Sequence, residues 1–140
     1  MNKDLSFFFA DVAEAKVTEV AIVASERFKA NGEVIPWKFK VFDADEIAEI
    51  KKQSTKIIKS NGSKQVTVDT TMLTQNAIIE SVVYPNLKDI QLQESYNATS
   101  PRMLLKAMLT GPELERLGDK ILKAQGFMED INTLIDDAKN

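Results

Sequence analysis

The sequence predicts an α+β fold, with N-terminal antiparallel β-hairpins packed on a C-terminal bundle of short α-helices. Three observations predict it. Alternating or β-branched runs fill the first half and are punctuated by Asn-Gly turns at Asn31-Gly32 and Asn61-Gly62. From residue 69 onward, apolar residues recur at helical spacing between start and stop signals. No apolar run approaches the ~20 residues that a membrane-spanning helix needs. A chain of 140 residues, 44% hydrophobic and 28% charged, has an ordinary globular composition. It is expected to form one domain over 1–140, β-rich at about 15–68 and helical at about 69–138.

Residues 5–12 read as a short helix or an extended arm. Phe7, Phe8 and Phe9 fall on more than one face of either. They are expected to pack on the core or on a sister subunit, the alternative being a sticky arm for a partner. Residues 17–24, VTEVAIVA, read as a strand. Val20 and Ile22 share one face; Val17, Ala21 and Val23 lie opposite, so cover is expected on both sides. Residues 37–41 alternate, with Trp37, Phe39 and Val41 on one face and Lys38 and Lys40 on the other. The two runs make a hairpin with a long loop, 27–36. Phe42 closes its second strand. Asp43 can cap a helix, with Glu46 at the capping-box position and Ile47 and Ile50 on the apolar side. Residues 55–59 and 64–68 flank Asn61-Gly62 as a weaker hairpin that projects from the body.

Asp69 or Thr70 starts the next helix, expected to run to Tyr84 on a stripe of Met72, Leu73, Asn76, Ile79, Val82 and Val83. Asn76 on that stripe needs a hydrogen-bond partner. The stretch 81–109 then organises the helical half. Pro85 stops the run before it. Residues 86–96 read as one short helix with Leu87, Ile90 and Leu92 on its apolar side. Ser100 caps the next helix, Pro101 fits its first position, and Met103, Leu104, Ala107 and Met108 form its stripe. Gly111 is expected to end that helix and Pro112 to open another, with Glu113 and Glu115 in its first turn. Its stripe is Leu114, Leu117, Ile121 and Leu122; Gly118 allows close approach of a neighbour, and Gly126 stops it. A final amphipathic helix is expected over 128–138, through Met128, Ile131, Leu134 and Ile135.

The chemistry is as informative as the pattern. There is no histidine and no cysteine, which removes the usual general base, the thiol nucleophile and the common zinc ligands. Asp43 and Asp45 could hold magnesium, but helix capping accounts for them and no phosphate-cradling loop accompanies them. Neither Asn-Gly turn matches a P-loop or a dinucleotide fingerprint. The expectation is no catalytic residue, no cofactor and no metal. A net charge of −3 argues against a nucleic-acid partner. Lys51, Lys52, Lys56 and Lys59 read as a solvated face balanced by Asp43, Asp45, Glu46 and Glu49. The N-terminal apolar patch is too short for a signal peptide, and Asp4 and Asp11 flank it, so an intracellular protein is expected.

Several short motifs carry a family likeness. V-V-Y-P-N-L-K-D at 82–89, L-Q-E-S-Y at 92–96, Ser100-Pro101 and L-L-K-A-M-L at 104–109 follow one another in order. Upstream lie Arg27-Phe28-Lys29, Pro36-Trp37 and the acidic run 43–46. Together they resemble the XkdN-like phage tail assembly chaperones over most of the chain, least past Gly126. The resemblance implies a non-enzymatic protein of the bacterial host cytoplasm. It would bind the tape measure protein, a long and poorly soluble helical chain, until tail tube subunits polymerise around it. The tail tube protein and a second copy of the chain are further expected partners, with no nucleic acid and no membrane. A structural tail component, such as a terminator or connector, is the alternative. Expected partner contacts are Phe7, Phe8 and Phe9, the adaptable Met103 and Met108, and Ile131, Leu134 and Ile135.

Chaperones of this functional type are also often made in two lengths through a backward ribosomal slip. Ala138-Lys139-Asn140 can be encoded GCA-AAA-AAC, on which such a slip re-pairs. Sequencing the coding DNA checks this expectation, and other codons at Ala138 and Lys139 remove the site.

Overall fold

In the computed structural model, which describes residues 4–127, the alternation of residues 37–41 sets the centre of the fold. Strand β1 (Glu19–Ile22) pairs antiparallel with β4 (Trp37–Lys40), in register from Glu19↔Lys40 to Ile22↔Trp37. Between them the loop folds into a minor ladder of β2 (Lys29–Ala30) and β3 (Glu33–Val34) around Asn31-Gly32. Trp37 is 2% exposed and Phe39 fully buried, with Lys38 facing out. Phe28 packs on Trp37 at 5.8 Å between ring centroids, and Trp37 on Phe39 at 6.4 Å. Val41 does not continue this face. Its N–H donates to the Thr18 carbonyl at 2.9 Å, and Phe42 takes the next buried place.

Only the inner face of β1 is covered. Val20 and Ile22 pack on the core, while Val17, Ala21 and Val23 stand in solvent. The expected cover on both sides is absent among the described residues because α2 and α5 pack on the inner face of the sheet.

Helix α1 (Ala44–Gln53) starts with the expected capping box. Asp43 Oδ1 accepts from the Glu46 N–H at 2.8 Å, and Glu46 Oε1 accepts from the Asp43 N–H at 3.1 Å. Aspartate serves as well as serine here because the cap needs only a short oxygen acceptor. Glu46 also pairs with Lys40. Strands β5 (Thr55–Ser60) and β6 (Ser63–Val68) then form the second hairpin, closed by Asn61 and Gly62, both at positive φ.

Helix α2 (Thr70–Ser81) is capped by Asp69, which accepts from the Met72 N–H at 3.0 Å. It differs from expectation in two ways. Its buried residues are Leu73, Ala77, Ile78 and Ser81, whereas Met72 is exposed and Asn76 and Ile79 are half-buried. Apolar Met72, Leu73, Ala77, Ile78 and Ile79 are interspersed with polar residues around the helix, so periodicity alone leaves its facing open. It also ends at Ser81. Residues Val82–Tyr84 form β7, which pairs with β4 through Phe39↔Val82 and Lys38↔Tyr84 and completes a sheet of order β1-β4-β7. Two valines and a tyrosine suit a strand, and β4 offers them an unpaired edge.

Leu87 is buried, but in the turn before a shorter helix, α3 (Ile90–Ser95), capped by Asp89. The buried Gln93 amide holds that turn by donating to the Leu87 carbonyl at 2.8 Å, and Ile90 is left exposed. Helix α4 (Pro101–Met108) has the expected Ser100 cap and Pro101 start. It buries Leu104, Leu105 and Met108, with Met103 and Ala107 outside. Helix α5 (Gly111–Ala124) is capped by Thr110 in a box with Glu113. Gly111 therefore opens α5 instead of closing α4, since the Thr110 hydroxyl is the better acceptor for the first free N–H groups.

Polar staples join these elements. Gln125 Oε1 accepts from the Phe42 N–H at 2.9 Å while its Nε2 donates to the Lys40 carbonyl at 2.8 Å, tying the end of α5 to the end of β4. Arg102 donates to Gln75 and to Asn76, which gives Asn76 the partner it needs. Arg27 Nη2 donates to the Met108 carbonyl at 2.6 Å and to Glu113 Oε1 at 2.7 Å. Gly118 lies where α5 meets α2: a Cβ there would stand 2.3 Å from Thr74 Cγ2.

Trp37→Ala should cost ~3–5 kcal/mol in urea denaturation, because it empties the centre of the sheet's buried face. Gly118→Ala should cost ~1–3 kcal/mol through overpacking, and adding Thr74→Ser, which removes the clashing methyl, should recover most of it. Acid should also weaken the fold. Hydrogen bonds from Arg27 first, then Ser25 and Thr110, hold the Glu113 carboxyl at about 2, down from 4.5. A carboxyl lowered on folding stabilises above its unfolded value, and that contribution is lost as pH falls from about 4.5 towards 2. Urea denaturation in this window should therefore show a smaller pH dependence for Glu113→Gln than for the natural chain.

Candidate partner-binding surface

The described residues hold no group of three or more acidic, histidine or cysteine side chains that could bind a metal. Asp43 is engaged as a helix cap. One open groove of about 670 Å³ lies between the segment 23–27 and α5. Glu26, Arg27, Glu113, Arg116 and Lys120 line it, and the Arg27–Glu113 pair crosses it. Its charged walls differ from the mainly apolar lining of small-molecule sites. The chemistry of this surface lies instead in apolar residues left outside a well-filled core.

The first group is the N-terminal arm. Ser6–Phe8 form one 3₁₀ turn. Asp4 Oδ1 accepts from the Ser6 N–H and hydroxyl, which lowers the Asp4 carboxyl's pKa. The Phe9 carbonyl accepts from the Val12 and Ala13 N–H groups. These bonds are all local. Phe7 is 70% exposed and Phe8 79%, and Phe9, Leu5, Val12 and Val17 are exposed as well. Of the two placements expected from the sequence, packing on the core of the same chain does not occur: the buried aromatics are Trp37, Phe39, Phe42 and Phe127.

The second group is the β5–β6 ribbon, the weaker hairpin of the sequence. Its register puts Thr55 with Val68, Ile57 with Val66, and Lys59 with Lys64 on one face. Val68 at the root packs on the core. Further out, Ile57 is 67% exposed and Val66 69%. The signal was present, since pairing outward from Asn61-Gly62 sets Ile57 opposite Val66.

Smaller apolar sites complete the surface. Met103, exposed on α4, has its sulfur 3.1 Å from the Thr99 hydroxyl, and Ile90 and Tyr96 are exposed on and beside α3. Ala21, Lys38 and Tyr84 line up across the outer face of the sheet. Met108 is 4% exposed and belongs to the core, so it offers a partner no free surface. Ile131, Leu134 and Ile135 lie outside the described residues, as do Ala138, Lys139 and Asn140. No described helix is long and apolar enough to cross a membrane.

The family model of the phage XkdN-like tail assembly chaperone protein matches residues 5–139, reaching past Gly126, where the motif likeness is weakest. Two relatives from Bacillus subtilis (strain 168) align along nearly their whole length. The uncharacterized protein YqbN is 34% identical over 142 residues, covering 98% of this chain and 93% of its own. The phage-like element PBSX protein XkdN is 31% identical over 141 residues, covering 98% and 94%. The crystal structure of YqbN matches with a TM-score of 0.68 at 28% identity, covering 91% of this chain and 99% of that one. The order of elements and the sequence along them thus agree, and the chain belongs to the XkdN-like phage tail assembly chaperone family.

Proposed function

We propose that this chain is a non-enzymatic tail assembly chaperone that binds the tape measure protein in the host cytoplasm and keeps it soluble until the tail tube forms around it. The observation that carries this reading is the family match over residues 5–139, on a chain that keeps Phe7, Phe8, Phe9 and Met103 in solvent. A client with apolar stripes along its helices needs apolar cover with adaptable side chains, and the arm aromatics and a surface methionine supply that chemistry. The tail tube protein is the second partner of the same reading, since release of the client has to be coupled to its enclosure.

Co-expression with the tape measure protein of the same genome, followed by pull-down, tests the proposal. The expected result is a soluble complex. Replacing Phe7, Phe8 and Phe9 together by serine should weaken it while circular dichroism shows the fold retained, because none of the three is part of the core. A tape measure protein that is equally soluble alone and does not co-purify overturns the proposal. So does a fixed number of copies of this chain in finished particles, which is the behaviour of a terminator or connector.

A further inference from the structure

The arm and the ribbon are opposites in charge and alike in apolar character. Residues 4–17 carry Asp4, Asp11 and Glu14 against a single base, Lys16. Residues 55–68 carry Lys56, Lys59 and Lys64 and no acid. Lys56 is engaged with Asp69 at 2.7 Å, so the basic end of the ribbon is Lys59 and Lys64. These two stand directly opposite each other on the face that bears Ile57 and Val66. Like charges in cross-strand register destabilise a ladder, and a two-stranded ribbon is marginal by itself. The face therefore runs from a rooted Val68, through a bare apolar pair, to two lysines in direct register. The arm runs in a matching order, from Phe7-Phe8-Phe9 to Asp11 and Glu14.

We propose that the arm of one copy docks on the β5–β6 ribbon of a second copy, and that two copies exchange arms in this way. The aromatics cover Ile57 and Val66, and Asp11 and Glu14 face Lys59 and Lys64. Up to Val17 the arm is solvent-exposed on its own protomer and makes only local hydrogen bonds, so it is free to leave. Residues 4–17 span up to roughly 45 Å when extended, enough to cross to a neighbour. A mutual exchange is self-complementary and closes at two copies, which caps both sticky surfaces without building a fibre. This inference concerns the chain alone and does not depend on the identity of the client.

Sedimentation velocity on the full chain, across concentration and at low and high salt, tests it. The natural chain should form a dimer that salt weakens. Lys59→Glu with Lys64→Glu should weaken dimerisation by roughly tenfold or more, and Asp11→Lys with Glu14→Lys should do the same. All four residues are exposed, so circular dichroism should show both variants folded. Mixing the two variants is the decisive measurement. Each arm then meets a ribbon of opposite charge, and a mixed dimer should form where neither variant dimerises alone. A natural chain that stays monomeric at every concentration overturns the proposal and leaves the arm to the client. A dimer insensitive to the reversals, or reversed chains that fail to pair on mixing, overturns it equally.

Discussion

Burial of the Trp37–Phe39 face of β4 is the constraint on which the rest of the structure depends. β4 is the central strand, so its pleat decides which side of the three-stranded sheet receives helices. Once Trp37 and Phe39 point inward, Val20 and Ile22 of β1 and Val82 of β7 must join them. Large aromatics contribute most to such a face, because each removes a large apolar area from water. α2 and α5 supply the opposing wall with Ala77, Ile78, Leu117 and Ile121. They approach closely at Gly118, where any side chain would meet Thr74.

Hydrophobic burial is not directional, and the register between sheet and helices comes from the polar staples. Gln125 satisfies a backbone donor and a backbone acceptor at the end of β4, in a place where either would be costly to leave unpaired. Arg102 joins α4 to α2, and Arg27 joins the loop after β1 to the junction of α4 and α5. No described buried side-chain polar atom lacks a partner. The exposed apolar side chains of the arm and the ribbon are not part of this core.

That division between buried and exposed apolar residues connects fold to function. A chaperone needs apolar surface that survives folding, and this fold leaves such surface on the arm, the outer half of the ribbon, the sheet's open face and the exposed sides of α3 and α4. The arm and ribbon are also segregated by charge, which favours opposite partners over like ones.

Much of this was legible in the sequence, for local reasons. The Asn-Gly turns demand positive φ, the alternation through Trp37 and Phe39 has the period of a half-buried strand, and Asp43 and Ser100 each precede an apolar helical pattern as caps do. The close approach at Gly118 and the stop at Gly126 follow from glycine's lack of a side chain. The phenylalanine arm was visible as apolar, and the family motifs stood in order along the chain. The tertiary structure alone decided which face α2 buries, because apolar and polar residues are mixed around that helix. It alone turned Val82–Tyr84 from the last turn of a helix into a strand, because the partner edge lies on β4, far away in sequence. It also placed Met108 inside and Met103 outside, and left the arm in solvent. Local pattern reports how apolar a segment is, whereas exposure depends on which distant residues have already filled the space beside it.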